Sequence, residues 1–418
     1  MLVDRDWITS TLQALIAIPS VGGSAAELQI QDWLAERWAE EQLQVDRWSV
    51  GLDELQDDPG FPGMEVARTA AVGVIAEWRG TGTGPTLLFN GHTDVVPPGD
   101  LAAWSGDPFT ARLMPGPDGR QRLVGRGAAD MKAGLVAAWA AVRAVRSSGT
   151  PLVGNVLLAP VSGEEDGGLG TYALLERLAA RQIQPDCCVI PEPTSLDIIP
   201  ANGGALTFRL TVRGRATHAS RRTEGVSALT AFLPVMRALE DFERQRNTDV
   251  DPLMQRWPIA YPLSIGTVQA GDWASTVPDL LTAEGRYGVA LGERVEQARA
   301  DFEAVVAAAC ASDPWLREHP VQVQWWGGQF APGRTDPDHP IIQAVQRAHG
   351  QVLAGRPQVY GGPYGSDLRL LTGVGNIPTL QYGPGDSKVA HAPDEWVDLD
   401  EVVDCARVLA ALIVDLCS

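Results

Sequence analysis

Four short, continuous apolar runs constrain the fold of this chain more than any other feature of its sequence. They are bounded by glycine, proline or polar residues, and they lie at 86–90 (TLLFN), 155–161 (NVLLAPV), 186–191 (DCCVIP) and 377–383 (IPTLQYG). Runs of this length without alternation are typical of strands that are buried on both faces, as in a mostly parallel sheet. Such a sheet needs helices on both sides, so the runs predict an α/β domain.

Helical patterns rich in alanine and leucine lie between and beyond these runs. They occupy residues 130–146, 170–182, 340–353 and 399–417, and the first of them is followed by a stop sequence, SSGTP. Strand and helix therefore alternate at both ends of the chain, which is the pattern of an α/β fold.

The middle of the chain has a different pattern. In residues 205–215 (ALTFRLTVRGR), apolar residues alternate with threonine and arginine, which is the period of a strand with one solvated face. A helix, two strands, a second helix and a last alternating strand follow. This βαββαβ order predicts a small two-layer α+β domain at 202–328, inserted into an α/β domain formed by 1–201 and 329–418.

Length, charge and cysteine content limit the class of protein. A chain of 418 residues exceeds one hydrophobic core, which agrees with two domains. The net charge of −19 and the lack of long lysine or arginine runs disfavour partners such as nucleic acid and anionic membranes. We expect no membrane-spanning helix, because no apolar stretch is long enough, and no secretory signal, because the first residues are acidic where a signal peptide is positively charged. Five cysteines without framework spacing favour a reducing compartment, so we expect a cytoplasmic protein.

Charged side chains and histidines follow the predicted strands. His92 and Asp94 come after the first run, and "SGEED" after the second contains Glu164 and Glu165. The remaining candidates are Glu192 after the third run, His391 after the fourth, and Asp130 at the start of the helix that follows "GRGAAD". Because open α/β sheets bind ligands beyond the carboxyl ends of their strands, we expect these residues to converge.

Taken singly, each of these residues has an ordinary structural explanation, such as a capped turn, a solvated surface or a helix N-cap. Several carboxylates in one crevice, however, repel each other unless a cation joins them. Imidazole and carboxylate together suit zinc, manganese or cobalt. Five ligands are too many for one tetrahedral zinc ion, so the pattern predicts two metals bridged by a carboxylate.

Six motifs carry a resemblance to a known family. They are GHTDVVPPGD, GRGAADMKAG, SGEEDGGLGT, PEPT, RATHAS and AHAPDEWV, in this order. The chain resembles the metallopeptidase family of acetylornithine deacetylase, succinyl-diaminopimelate desuccinylase, aminoacylase and carboxypeptidase G, and looks most like its acetylornithine deacetylase-like members. The resemblance spans nearly the whole chain. It implies a zinc aminopeptidase-like catalytic domain with an inserted lid or dimerisation domain, and therefore a homodimer.

The resemblance also implies how the metals are held. Asp130 would bridge two Zn²⁺ ions, for which Co²⁺ or Mn²⁺ would be substitutes. His92 and Glu192 would complete one site, and Glu165 and His391 would complete the other.

Two further carboxylates have roles by resemblance. Asp94 would accept the free ring N–H of His92 and thereby orient the imidazole. Glu164 falls where the family has its general base, which takes a proton from the attacking water and delivers it to the leaving amine. Glu164 has two alternative interpretations, as a third carboxylate ligand or as a surface partner of its neighbour.

The inserted domain and one later loop supply the remaining candidates. His218 resembles a lid histidine that stabilises the tetrahedral oxyanion. Arg286, Gly365 and Ser366 are placed by resemblance for substrate contacts, with Gly365 and Ser366 offering backbone and hydroxyl donors to a carboxylate. At Ser227 and Ser275 many relatives have asparagine instead, and a shorter hydroxyl cannot make the same amide contacts.

The sequence thus predicts a metal-dependent amidohydrolase that cleaves the amide bond of a small N-acyl amino acid or N-acyl amine, with deacetylase activity the leading hypothesis. Dipeptidase, carboxypeptidase, N-formyl or N-carbamoyl amidohydrolase activity are alternatives within the same chemistry. A metabolite-binding relative without activity is a rival from another class, which the presence of Glu164 disfavours. A phosphoesterase is disfavoured because the sequence has no nest for phosphate oxygens.

Overall fold

Helices and strands alternate along the chain, which the computed structural model describes at residues 2–58 and 60–418. The helices are α1 (Arg5–Ile16), α2 (Ala26–Glu40), α3 (Leu52–Leu55), α4 (Ala133–Ser148), α5 (Leu169–Ala180), α6 (Ala228–Arg246), α7 (Val295–Ser312), α8 (Pro314–Glu318), α9 (Pro340–Val352) and α10 (Leu399–Cys417). Within those residues, every helix is too short or too polar to span a bilayer.

The strands are β1 (Gln44–Gly51), β2 (Ala70–Trp78), β3 (Thr86–His92), β4 (Arg112–Pro115), β5 (Gln121–Val124), β6 (Asn155–Val161), β7 (Cys187–Ile190), β8 (Ala201–Asn202), β9 (Gly204–Arg213), β10 (Leu263–Ala270), β11 (Leu280–Val289), β12 (Gln322–Phe330), β13 (Gly333–Arg334), β14 (Thr379–Gln381) and β15 (Trp396–Asp398). The four apolar runs of the sequence form β3, β6, β7 and β14.

The chain divides into two compact units. The first comprises Met1–Ala201, Arg334–Tyr360 and Asp367–Ser418, and the second comprises Asn202–Gly333 and Gly361–Ser366. The sequence-based division ended the inserted domain at 328, five residues before the end of this stretch of the second unit, and placed 361–366 in the first domain. The segment belongs to the second unit because the Gly203 N–H donates to the Gly362 carbonyl oxygen at 2.9 Å. The assignment of catalytic and lid roles to these units stays a prediction.

The main sheet of the first unit is mostly parallel, as predicted. Its strand order is β1-β2-β6-β3-β7-β14. Strand β2 is antiparallel to both of its neighbours, and the other strands share one direction. The carboxyl ends of β3, β6, β7 and β14 therefore lie along one edge.

Both faces of this sheet are buried, which explains why its strands lack alternation. In β3, Leu87 and Phe89 face a core formed with α1, α2, α4, α9 and α10. Leu88, between them, faces a second core formed with α3 and α5. Successive side chains of a strand point to opposite faces, so Leu87, Leu88 and Phe89 are all apolar although they face two different cores.

The second unit has the predicted βαββαβ order around an antiparallel sheet, β10-β11-β9-β12. Leu206, Phe208, Leu210 and Val212 of β9 are fully buried against α6 and α7. Arg209, on the opposite face of the strand, is partly exposed and pairs with a neighbouring glutamate. The fold class predicted from the sequence is therefore confirmed.

Lys132, just before α4, holds the end of α1 in place. Its side chain is fully buried, and Nζ donates to the carbonyl oxygens of Leu15 at 2.9 Å and Ile18 at 3.0 Å. Burial lowers the pKa of Lys132 to about 7. Each of these oxygens also accepts a backbone N–H, from Ile18 at 3.3 Å and Ser20 at 2.8 Å respectively, so Lys132 adds a second donor to acceptors that the fold removes from water.

We predict that Lys132→Met destabilises the protein, because it removes the charged donor shared by two buried carbonyl oxygens, which then keep backbone N–H donors alone. The free energy of unfolding should fall by about 2 to 4 kcal/mol, measured by urea denaturation. Lys388, the other lysine of the chain, is exposed, and Lys388→Met is the matched control with a change within about 0.5 kcal/mol. Equal unfolding midpoints for the two variants would contradict this account of Lys132.

Candidate metal centre

The structure brings together the five side chains that the sequence proposed as metal ligands. His92 ends β3, and Glu165 follows the end of β6 by a few residues. Glu192 follows β7, and His391 lies in the loop after β14. Each side chain therefore reaches the same edge of the sheet from a different strand, as the parallel arrangement requires.

Asp130 lies between the two histidines. Its Oδ1 is 3.0 Å from His92 Nε2, and its Oδ2 is 3.4 Å from His391 Nε2. The expectation that Asp130 begins a helix was wrong, because α4 begins at Ala133 and Asp130 has an extended backbone with φ −114° and ψ 100°. Its carboxylate is thus presented by an irregular turn, with one oxygen facing each imidazole.

The ligand atoms form two groups that share Asp130. One group is His92, Asp130 and Glu192, and the other is Asp130, Glu165 and His391. Within each group the ligand atoms lie within 4.8 Å of one another. In the second group, His391 Nε2 is 3.1 Å from Glu165 Oε2. Nitrogen and carboxylate ligands in two such groups fit a pair of divalent cations that share one carboxylate.

The charges of the cluster also fit a cation. Burial raises the pKa of Glu192 well above its ordinary value, and the charge of Asp130 raises it further. Hydrogen bonds that the His391 ring donates to the carboxylates of Asp130 and Glu165 raise its pKa to about 11. The pKa of His92 is also raised, because Asp130 and nearby carboxylates outweigh the lowering effect of burial. The cluster therefore binds positive charge strongly, and metal ions compete with protons for such ligands.

His391 has a strained backbone. Its φ of 61° lies in the left-handed region, which costs a non-glycine residue about 1 to 2 kcal/mol. Strain of this kind persists where the surrounding structure holds a side chain in one direction, and it clusters at functional sites. Here it accompanies a ring directed at Asp130 and Glu165.

Asp94 contacts the cluster differently from what the resemblance implied. His92 Nδ1 lies 2.9 Å from the main-chain carbonyl oxygen of Asp94 but 3.8 Å from its carboxylate. The carbonyl oxygen therefore orients the ring and fixes its proton on Nδ1. The Asp94 carboxylate instead accepts the N–H groups of Glu164 at 3.4 Å and Glu165 at 3.3 Å.

Glu164 lies beside the ligands without belonging to either group in the described part of the chain. It is buried, with 8% of its surface exposed. Burial raises its pKa well above the ordinary value, and the charges of Asp367, Glu192 and Glu165 raise it further against the opposing effect of His92. A carboxylate with a raised pKa has the properties of a general base.

A buried network of ion pairs and hydrogen bonds holds the loop of Glu164 and Glu165 in place. The sequence alone does not reveal this network. The side chain of Arg68 is 4% exposed, and its guanidinium donates to Glu27 at 2.9 Å and to Asp166 at 2.7 Å. Asp166, the third carboxylate of "EED", also accepts the Val66 N–H at 2.8 Å. No local pattern marks Arg68, since its partners lie 41 and 98 residues away along the chain.

The remaining candidates lie in the second unit. His218 is exposed, and its Nδ1 accepts the Ser220 N–H at 3.2 Å, so a neutral ring carries its proton on Nε2. Arg286 is half-buried, with its guanidinium carbon 5.8 Å from the Phe330 ring centre.

Ser366 differs from expectation. It is 2% exposed, and its hydroxyl donates to Asn202 Oδ1 at 3.0 Å, so this donor already has a protein acceptor. Gly365 packs against Phe330, where an added Cβ would lie 2.5 Å from the ring carbon Cγ. Ser227 accepts the Thr230 N–H as the N-cap of α6, which gives this serine a structural role.

Comparisons with known proteins identify the family. Residues 88–415 match the family model described as Peptidase family M20/M25/M40. The chain is 27% identical over 417 residues to N-formyl-4-amino-5-aminomethyl-2-methylpyrimidine deformylase of Bacillus subtilis, covering 93% of this chain and 89% of that protein. It is 30% identical over 337 residues to succinyl-diaminopimelate desuccinylase 2 of Shewanella loihica, covering 78% and 84%.

A solved structure shows the same fold. The dipeptidase Dug1p from Saccharomyces cerevisiae superposes with a TM-score of 0.76 at 16% identity, over 98% of this chain and 95% of that one. The family model covers most of the chain, and the matched residues include those that converge at the sheet edge. The chain therefore belongs to Peptidase family M20/M25/M40, as its motifs predicted, and is a hydrolase that acts on amides.

Proposed function

We propose that this chain is a two-zinc deacylase that hydrolyses the amide bond of a small N-acyl amino acid or related N-acyl amine. The observation that carries the proposal is the pair of ligand groups that share the Asp130 carboxylate. An imidazole and carboxylates in each group suit zinc, with Co²⁺ or Mn²⁺ as substitutes. When bound, such a pair of cations supplies Lewis acidity that activates water and polarises a carbonyl oxygen.

We assign the metal-binding and proton-transfer roles to six residues. His92 and Glu192 would hold one cation, Glu165 and His391 the other, and Asp130 both. Glu164 would accept a proton from the attacking water and donate it to the amine nitrogen as the C–N bond breaks, which gives a carboxylic acid and a free amine. Its burial and its raised pKa support this assignment.

We extend the proposal to His218 as the donor that stabilises the tetrahedral oxyanion. Acceptance of the Ser220 N–H by Nδ1 supports this role, because it leaves Nε2–H of the neutral ring as a donor. Arg286 and the backbone N–H of Gly365 are the proposed contacts for the part of the substrate beyond the amide. The Ser366 hydroxyl is a weaker candidate, since it already donates to Asn202.

Acetyl is the leading acyl group in this proposal, and formyl is the second candidate. The formyl group is favoured by the similarity to the Bacillus subtilis deformylase, which extends over 93% of the chain. Both groups are small, and both reactions release a free amine from a linear amide.

Two further proposals concern the state of the protein. We propose a homodimer that forms through the second unit, supported by its edge strand β10, where Val268 is 50% exposed, and by Trp273, which is 73% exposed.

We propose the cytoplasm as its location, because all five cysteines are buried thiols, which suits a reducing compartment.

We predict that the purified protein binds about two zinc ions per chain and releases amine from N-acetyl or N-formyl substrates. Glu164→Gln should keep both ions and lower kcat about 10²- to 10⁴-fold, since Gln cannot take up the proton. Metal content is measured by plasma mass spectrometry, and amine release is measured with N-acetyl, N-succinyl and N-formyl amines and with dipeptides.

The matched control for this test is Glu40→Gln, which alters an exposed carboxylate on α2 and should retain wild-type kcat. Wild-type kcat in Glu164→Gln, or a protein that binds no metal at saturating zinc, would overturn the proposed mechanism.

For the homodimer, we predict that sedimentation equilibrium gives twice the mass of the chain and that Val268→Lys shifts the equilibrium to single chains. A lysine on β10 would place like charges opposite each other across a two-fold axis. A wild-type mass equal to one chain would refute the dimer while leaving the metal centre unaffected.

A further inference from the structure

Glu395 makes an unusual set of contacts beside the metal centre. It is 1% exposed, and both carboxylate oxygens accept two hydrogen bonds each. Oε1 accepts the N–H groups of Ala129 at 2.8 Å and Asp130 at 3.0 Å. Oε2 accepts the Gly127 N–H at 3.1 Å and Arg126 Nη1 at 2.6 Å. Four donors thus converge on one buried carboxylate.

These contacts connect the turn that carries Asp130 with the segment that carries His391. Glu395 lies four residues after His391, and the turn it binds ends at Asp130. The main chain joins the same segments, because the Gly125 N–H donates to the Glu395 carbonyl oxygen at 2.9 Å and Trp396 pairs with Val124. The position of one segment therefore depends on the other.

The turn needs an acceptor of this kind. Asp130 has an extended backbone, and α4 begins only at Ala133, so the N–H groups of 127, 129 and 130 point to Glu395 rather than to helix carbonyls. A buried N–H without an acceptor is strongly unfavourable. One carboxylate satisfies all three N–H groups, and this fixes the direction of the Asp130 side chain.

Glu395 is unsuited to be a metal ligand itself. Both oxygens are occupied by N–H donors, and the residue belongs to neither ligand group among residues 2–58 and 60–418. Its ion pair with Arg126, which is 1% exposed and lies 5.1 Å from the Trp104 ring centre, balances its charge locally. The contacts of Glu395 therefore affect the position of the Asp130 side chain and add little net charge to the candidate metal centre.

We propose that Glu395 is a positioning residue of the metal centre, which holds Asp130 between His92 and His391 before any cation binds. The proposal rests on the proposed function, since it takes Asp130 as the shared ligand. Preorganised ligands lose less conformational freedom on binding, and partners that orient the ligands of a metal contribute about 10- to 100-fold to affinity.

The test compares Glu395→Gln with Glu395→Asp, using Co²⁺ as the probe. Gln turns one acceptor into an amide donor that faces N–H groups, whereas Asp keeps the charge but is too short to reach all four donors. Each variant should bind Co²⁺ about 10- to 100-fold more weakly in chelator competition. The visible absorption spectrum of the Co²⁺ protein should change as well, because the ligand geometry around the ions changes.

The matched control is Leu409→Ala on α10, a core truncation that lowers the melting temperature without touching these contacts. It should retain the wild-type Co²⁺ affinity and spectrum. Glu395 variants with wild-type affinity and spectrum, or with a loss no larger than that of Leu409→Ala, would overturn the positioning role. A wild-type protein that binds no Co²⁺ would instead overturn the proposed function, and this inference with it.

Discussion

The Asp130 carboxylate, with one oxygen directed at each of two imidazoles, is the interaction on which the rest of the site depends. Its partners reach it from the end of β3 and from the loop after β14, so the strand order of the sheet decides whether they meet. Glu165 and Glu192 add negative charge to the same edge, and burial makes that charge costly unless cations balance it. The fold thus gathers carboxylates at one edge of the sheet, where a cation would be stabilised.

Much of this arrangement could be predicted from the sequence, for a simple physical reason. A strand that is buried on both faces carries apolar side chains on both, without the alternation of a half-solvated strand, so β3 and β6 are evident in the sequence as apolar runs. Parallel strands end at one edge, which predicted that His92 and Glu165 would meet. Strand β2 is also continuous and buried, but no candidate ligand follows it to mark its end.

The contacts that orient the ligands could not be predicted, because they use the main chain or distant residues. Asp94 holds His92 with its main-chain carbonyl oxygen. A sequence pattern cannot show whether the main-chain oxygen or the side-chain carboxylate of the same residue makes the contact. Glu395 binds three backbone N–H groups, which every residue type except proline carries. Arg68 meets Asp166 only after folding, since 98 residues separate them. The ligands follow from residue types at strand ends, whereas their orientation follows from tertiary contacts.

The most direct test of the central claim is the metal content of Asp130→Ala compared with His391→Ala, measured by plasma mass spectrometry after dialysis against zinc. In the proposed centre a shared carboxylate would contribute to both ions, whereas His391 would contribute to one. The account predicts that Asp130→Ala loses both zinc ions and that His391→Ala retains about one per chain. Two zinc ions retained in Asp130→Ala would contradict it.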